Sequence, residues 1–203
     1  MTSEIGHISD DEAETGETLA AVPLAERSIV LVGLMGAGKT TVGRRLARKL
    51  DLAFVDADAE IEQAAGETIP EIFERHGEAA FRTGERRVIT RLLNGAPQVL
   101  ATGGGAFMDT ATRTNIAARG ISVWLKADLD ILMKRLGKRS GRPLLESGDP
   151  RATMKRLIDE RYPVYAGADI TIDTLEGPHD AIVERIVESL EDFRAEHAGH
   201  AND

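Results

Sequence analysis

The chain has no cysteine, which excludes disulfides and thiolate chemistry and suits a reducing compartment. It also lacks any apolar run near the roughly eighteen residues that a membrane span requires. Its first residues lack the basic-then-apolar pattern of a secretory signal. No basic stripe or aromatic ladder of the kind that binds nucleic acid is present. Residues 1–26 contain no lysine or arginine. They hold Glu4, Asp10, Asp11, Glu12, Glu14, Glu17 and Glu26, so most of the formal net charge of -9 belongs to this segment. Small and polar residues of this kind bury too little surface to offset the entropy of ordering them. Residues 1–26 therefore read as a disordered acidic extension, and residues 196–203 as a frayed tail. The expectation is a cytoplasmic monomer with neither membrane nor nucleic acid as a partner.

What remains, residues 27–195, is enough for one core. Ser28 to Val32 is a short apolar, β-branched run, as in a strand buried on both faces. After a glycine-rich turn, Thr40 to Leu50 carries Val42, Leu46 and Leu50 at helical spacing. Leu52 to Val55 reads as a second strand. Thr68-Ile69-Pro70-Glu71 is a capping-box pattern opening a short helix that Gly77 ends, and Glu78 to Leu93 continues as helix. Val99–Thr102, Ile121–Leu125 and Ile170–Ile172 read as further strands. Helices are expected around Thr110–Ala118, from Asp128 to Leu136, from Asp149 to about Tyr162, and over Pro178–Phe193. Residues 137–149 are basic and aperiodic, the pattern of a loop. Strands alternating with helices imply one α/β domain, a parallel sheet covered on both faces.

The strongest local signal is Gly33-Leu34-Met35-Gly36-Ala37-Gly38-Lys39-Thr40, a full match to G-x-x-x-x-G-K-[ST] between a strand and a helix. Glycines let successive N–H groups converge on phosphate oxygens, and the helix N-terminus adds its positive end. Lys39 would meet the β/γ-phosphates, and the Thr40 hydroxyl would ligate Mg²⁺. The nucleotide set read here is Gly36, Ala37, Gly38, Lys39, Thr40 and Thr41. This motif says nothing of the acceptor.

Weaker signals address the acceptor. Asp56-Ala57-Asp58 follows the second strand, where alternation would put both carboxylates on one face. One can hold Mg²⁺ through its water shell while the other takes a hydroxyl proton; equally, Asp58 can cap the next helix. Gly103-Gly104-Gly105 would let a ligand lie against backbone N–H groups, or form a plain turn. Arg82, with Glu85 three residues on to brace it, and Arg161 in Glu160-Arg161-Tyr162-Pro163 would select an anion if they converge; singly, each suits a solvated surface. Lys138, Arg139 and Arg142 lie in the basic loop, which can close over phosphates, exclude water and stabilise transferred charge.

Taken in order, GLMGAGKTTVGRRLA, DADAEIEQ, FRTGE, ATGGGA, RPLL and ERYPVY closely resemble the shikimate kinase family over residues 28–190. The resemblance implies a P-loop NTPase fold of the nucleoside-monophosphate-kinase-like group, with three α/β/α layers, five parallel strands and a lid at about 137–149. It implies ATP and shikimate as substrates, Mg²⁺ as cofactor, and shikimate 3-phosphate as product in aromatic amino-acid biosynthesis. By the same resemblance Lys39 and Thr40 serve phosphate and Mg²⁺, and Asp56 lies near the metal through water. Asp58 is the candidate base. Arg82 and Arg161 would hold the carboxylate, with Gly103, Gly104 and Gly105 beside them. Arg142 is the lid arginine and Arg135 lies near adenine. Leu175-Glu176-Gly177-Pro178 lacks a basic residue that some relatives place against adenine, and the acidic extension has no counterpart in the family core. Two rivals stand beside this reading: a gluconate kinase-like enzyme, and an ATP-binding regulatory protein without catalysis.

Overall fold

A computed structural model describes residues 23, 26–137, 149–174 and 177–198. Five strands form a single sheet: β1 (Ser28–Val32), β2 (Ala53–Asp56), β3 (Gln98–Ala101), β4 (Gly120–Lys126) and β5 (Ile170–Asp173). All neighbours are parallel, in the order β2-β3-β1-β4-β5. The central strand β1 pairs Ile29 with Val99 on one side and with Ile121 on the other. Ile29, Val30, Leu31 and Val32 are fully buried, as the continuous apolar run requires in a sheet covered on both faces. β3 and β4 lie on opposite sides of β1, so the chain reverses its winding there. Such a switch point opens a crevice at the carboxyl ends of the strands.

The helices are α1 (Lys39–Leu50), α2 (Ala57–Ala65), α3 (Ile69–Leu93), α4 (Thr110–Arg119), α5 (Leu129–Leu136), α6 (Pro150–Tyr165) and α7 (His179–Ala198), with a short 3-10 turn at Ala106–Met108. α1 buries Val42 and Leu46 of its predicted apolar stripe with Ala47 beside them, while Leu50 is partly buried; burying each large aliphatic side chain contributes about 1.5–3 kcal/mol. The capping box at Thr68 and Glu71 forms as expected. Gly77, at φ 78 and ψ 172, breaks α3 into two helical stretches.

Three expectations change. Asp58 lies in the first turn of α2 and not on a strand; Asp56 caps that helix by accepting from Asp58 N at 3.2 Å. Shared strand alternation is therefore not what brings the two carboxylates together. α6 continues through Pro163 to Tyr165, so Arg161 lies within the helix and does not end it. The tyrosines flanking Pro163 reach across to backbone carbonyls, Tyr162 to Ala127 and Tyr165 to Gly104, and these bonds outlast the one N–H that proline removes. α7 runs to Ala198, past the expected tail boundary at 195. The loop residues Lys138, Arg139 and Arg142 lie outside the described residues.

Candidate functional site

The turn from β1 into α1 is the candidate phosphate cradle. Gly38 stands at φ 101 as the N-cap of α1, a left-handed conformation that L side chains resist. Ala37 N closes the turn on Leu34 O at 3.1 Å. Lys39 Nζ donates to Gly33 O at 2.7 Å and Leu34 O at 3.1 Å, so its ammonium lies over the loop's own backbone. Arg135, from α5, crosses the same loop and donates to Ala37 O at 3.2 Å and Gly36 O at 3.4 Å. Thr41 follows in the first turn of α1.

Two strands along the sheet, at the end of β2, Asp56 Oδ2 accepts from Thr40 Oγ1 at 3.1 Å. A hydroxyl and a carboxylate so joined suit a hydrated Mg²⁺, which takes one or two protein ligands and completes its shell from phosphates and water. Among the described residues no group of three or more His, Cys, Asp or Glu side chains could hold a metal alone.

The acceptor candidates meet at the glycine strip after β3. A Cβ added at Gly103 would stand 2.7 Å from Asp58 Oδ1 and 2.9 Å from Glu85 Oε1. At Gly105 it would stand 2.6 Å from both terminal nitrogens of Arg82, and at Gly104 3.4 Å from Arg161 Nη1. Arg161 Nη1 donates to Gly104 O at 2.8 Å. The triple glycine is therefore a smooth wall against which two carboxylates and two guanidinium groups lie. Arg82 Nη1 donates to Glu85 Oε2 at 2.7 Å, the predicted brace, and Arg82 Nη2 reaches Glu78 at 3.3 Å.

Electrostatics reinforce that arrangement. Burial pushes the Glu85 carboxyl above its ordinary value; the Arg82 bond opposes this and the Asp58 charge adds to it. For Arg82, burial works against the charge, yet Glu85 and then Glu78 hold the guanidinium above its usual value. Glu85 is 3% exposed, and its Oε1 has no hydrogen-bond partner.

The candidate site residues within the described segments thus form two groups: a phosphate group on the β1–α1 turn with Asp56 from β2 and Arg135 from α5, and an acceptor group on α2, α3, α6 and the glycine strip. Sequence reasoning missed Tyr165, whose hydroxyl donates to Gly104 O. Its phenol is completely buried, and in the sequence it reads as one more core aromatic.

The fold and the two-part site define a P-loop phosphotransferase for a small anionic acceptor. A family model described as shikimate kinase matches residues 35–191. The shikimate kinase of Bradyrhizobium diazoefficiens is 62% identical over 167 residues, covering 82% of this chain and 81% of that one. The chain belongs to the shikimate kinase family. Among solved structures, the shikimate kinase from Acinetobacter baumannii in complex with shikimate matches with a TM-score of 0.79 and 40% identity, covering 82% of this chain and 94% of that one. A gluconokinase from Sinorhizobium meliloti matches at 17% identity and a TM-score of 0.63, covering 87% of this chain and 98% of that one, and shares the fold alone.

Proposed function

We propose that the chain transfers the γ-phosphoryl group of ATP to the 3-hydroxyl of shikimate. The observation that carries this reading is the convergence of Asp58, Arg82 and Arg161 on the Gly103–Gly105 backbone, beside a loop built for phosphates. Two guanidinium groups recognise a carboxylate. A neutral acceptor such as a nucleoside sugar hydroxyl has no use for them.

In this reading, the N–H groups of Gly36, Ala37, Gly38, Lys39, Thr40 and Thr41 and the dipole of α1 cradle the phosphates. Lys39 moves from its loop carbonyls to the β/γ-phosphates. Thr40 and Asp56 would hold Mg²⁺, which supplies charge neutralisation on the phosphates when bound. Arg82 and Arg161 fix the carboxylate of shikimate and so orient its ring. Asp58 accepts the hydroxyl proton as the oxygen–phosphorus bond forms and the bond from the γ-phosphorus to the bridging oxygen breaks, releasing ADP. Arg135 lies toward the base, and Arg142, outside the described residues, is assigned to the phosphates by family resemblance. We include a cytoplasmic monomer in the proposal, since ATP is supplied there and each half of the site comes from one chain.

The test is ADP release coupled to a spectroscopic readout, with shikimate, gluconate and nucleoside monophosphates as acceptors. Shikimate is expected to turn over fastest. Faster turnover of gluconate or of a nucleotide would sink the acceptor assignment, and ATP binding without any transfer would favour the regulatory alternative.

A further inference from the structure

Two tyrosines, the chain's whole complement, lie on α6 either side of Pro163. Both hydroxyls are spent on backbone carbonyls, but different ones. Tyr162 donates to Ala127 O beyond the end of β4. Tyr165 donates to Gly104 O, the same oxygen that accepts Arg161 Nη1 at 2.8 Å. The two donors, one a guanidinium and one a phenol, thus converge on a single oxygen. A carbonyl oxygen has two lone pairs, and here both are taken by α6.

Packing alone does not call for that hydroxyl. The Tyr165 ring sits edge-on to Trp124 with centroids 5.9 Å apart and to Phe107 at 6.2 Å, a cage that phenylalanine would fill equally well. A phenol buried to 0% exposure needs a partner for its O–H, and the partner is the central glycine of the acceptor wall.

We propose that Tyr165 is a positioning residue for the acceptor carboxylate: it shares the Gly104 oxygen with Arg161 and so holds that guanidinium against the glycine strip. The hydroxyl fixes the plane of the peptide that follows Gly104 and leaves the outward donors of Arg161 aimed into the site. The proposal rests on the reading that the acceptor carboxylate meets Arg161.

The experiment compares Tyr165→Phe with Tyr162→Phe in steady-state kinetics with shikimate and ATP. Losing one buried hydrogen bond is expected to raise the shikimate KM about five- to tenfold in Tyr165→Phe. The ATP KM should stay within about twofold, and Tyr162→Phe should keep the wild-type shikimate KM. With the methyl ester of shikimate, which has no carboxylate charge, Tyr165→Phe and wild type should perform alike. A wild-type shikimate KM in Tyr165→Phe, an equal defect in both variants, or a parallel rise in the ATP KM would each overturn the proposal. Wild-type enzyme that ignores shikimate would overturn the parent reading with it, a distinct result.

Should Tyr165→Phe not fold, the Tyr162→Phe protein grown on 3-fluorotyrosine carries a single labelled ring at position 165. Its fluorine resonance should move on adding shikimate and stay put on adding a non-hydrolysable ATP analogue. A resonance indifferent to shikimate excludes the role.

Discussion

Thr40 Oγ1 donates to Asp56 Oδ2 at 3.1 Å, tying the first turn of α1 to the last residue of β2. The pair joins two consecutive elements across 16 positions and supplies the two protein groups proposed for the metal. Asp56→Asn keeps the helix cap, because asparagine caps as well as aspartate, and removes the charge. The Mg²⁺ concentration for half-maximal activity should rise by roughly ten- to a hundredfold, the range that lost metal partners produce. A magnesium titration of the coupled assay reads this directly, and an unchanged midpoint would remove Asp56 from the metal.

Asp58→Asn should lower kcat by about 10²–10⁴, the usual worth of a positioned base. ATP affinity, read by calorimetry, should hold within about twofold, because Asp58 lies against Gly103 in the acceptor group. Loss of nucleotide affinity at near-normal turnover would reassign the residue.

Gly105→Ala tests the glycine wall. The added methyl would meet Arg82 Nη1 and Nη2 at 2.6 Å, the far end of a flexible side chain that is 29% exposed. The guanidinium moves and the fold survives. Thermal unfolding should shift little while the shikimate KM rises by about tenfold or more, as lost charged hydrogen bonds dictate. A variant with wild-type KM would show that Arg82 does not need this wall.

Glu85 predicts a pH effect. Burial raises its pKa above the ordinary 4.5, so the folded state holds a proton more tightly than the unfolded chain does. Its stabilising contribution is full below about pH 4.5 and is lost as pH rises through the raised folded value. Thermal unfolding of wild type and Glu85→Gln across that window should show the wild type losing ground as pH increases. Parallel profiles for the two proteins would contradict this.

The sheet and the phosphate loop were legible because their signals are local. β1 is an unbroken apolar run, and Gly33 to Thr40 states its own geometry. α2 escaped notice although its cap and its run of alanine and glutamate favour helix, because Asp56 and Asp58 were read by strand alternation. The acceptor site was harder for a different reason. Arg161 and Gly104 are 57 positions apart, and single arginines on helices look like solvated ones. Only the order of the motifs, matched to a family, joined them before the fold did. The hydroxyl of Tyr165 gave no such cue, since an aromatic at helical spacing reads as core.

The break at Gly77 divides α3 into parts with separate duties. Arg82 and Glu85 follow the break, on a stretch anchored in the core by Val88 and Ile89. Ile69 to His76 precede it, with Phe73 the exposed large apolar side chain among them, its ring 4.6 Å from that of Phe81. Substitutions in the preceding stretch therefore reach the neighbourhood of Arg82 through the ring contact between Phe73 and Phe81. A designer who redraws the stretch before the break must therefore keep a ring at position 73 that still covers Phe81.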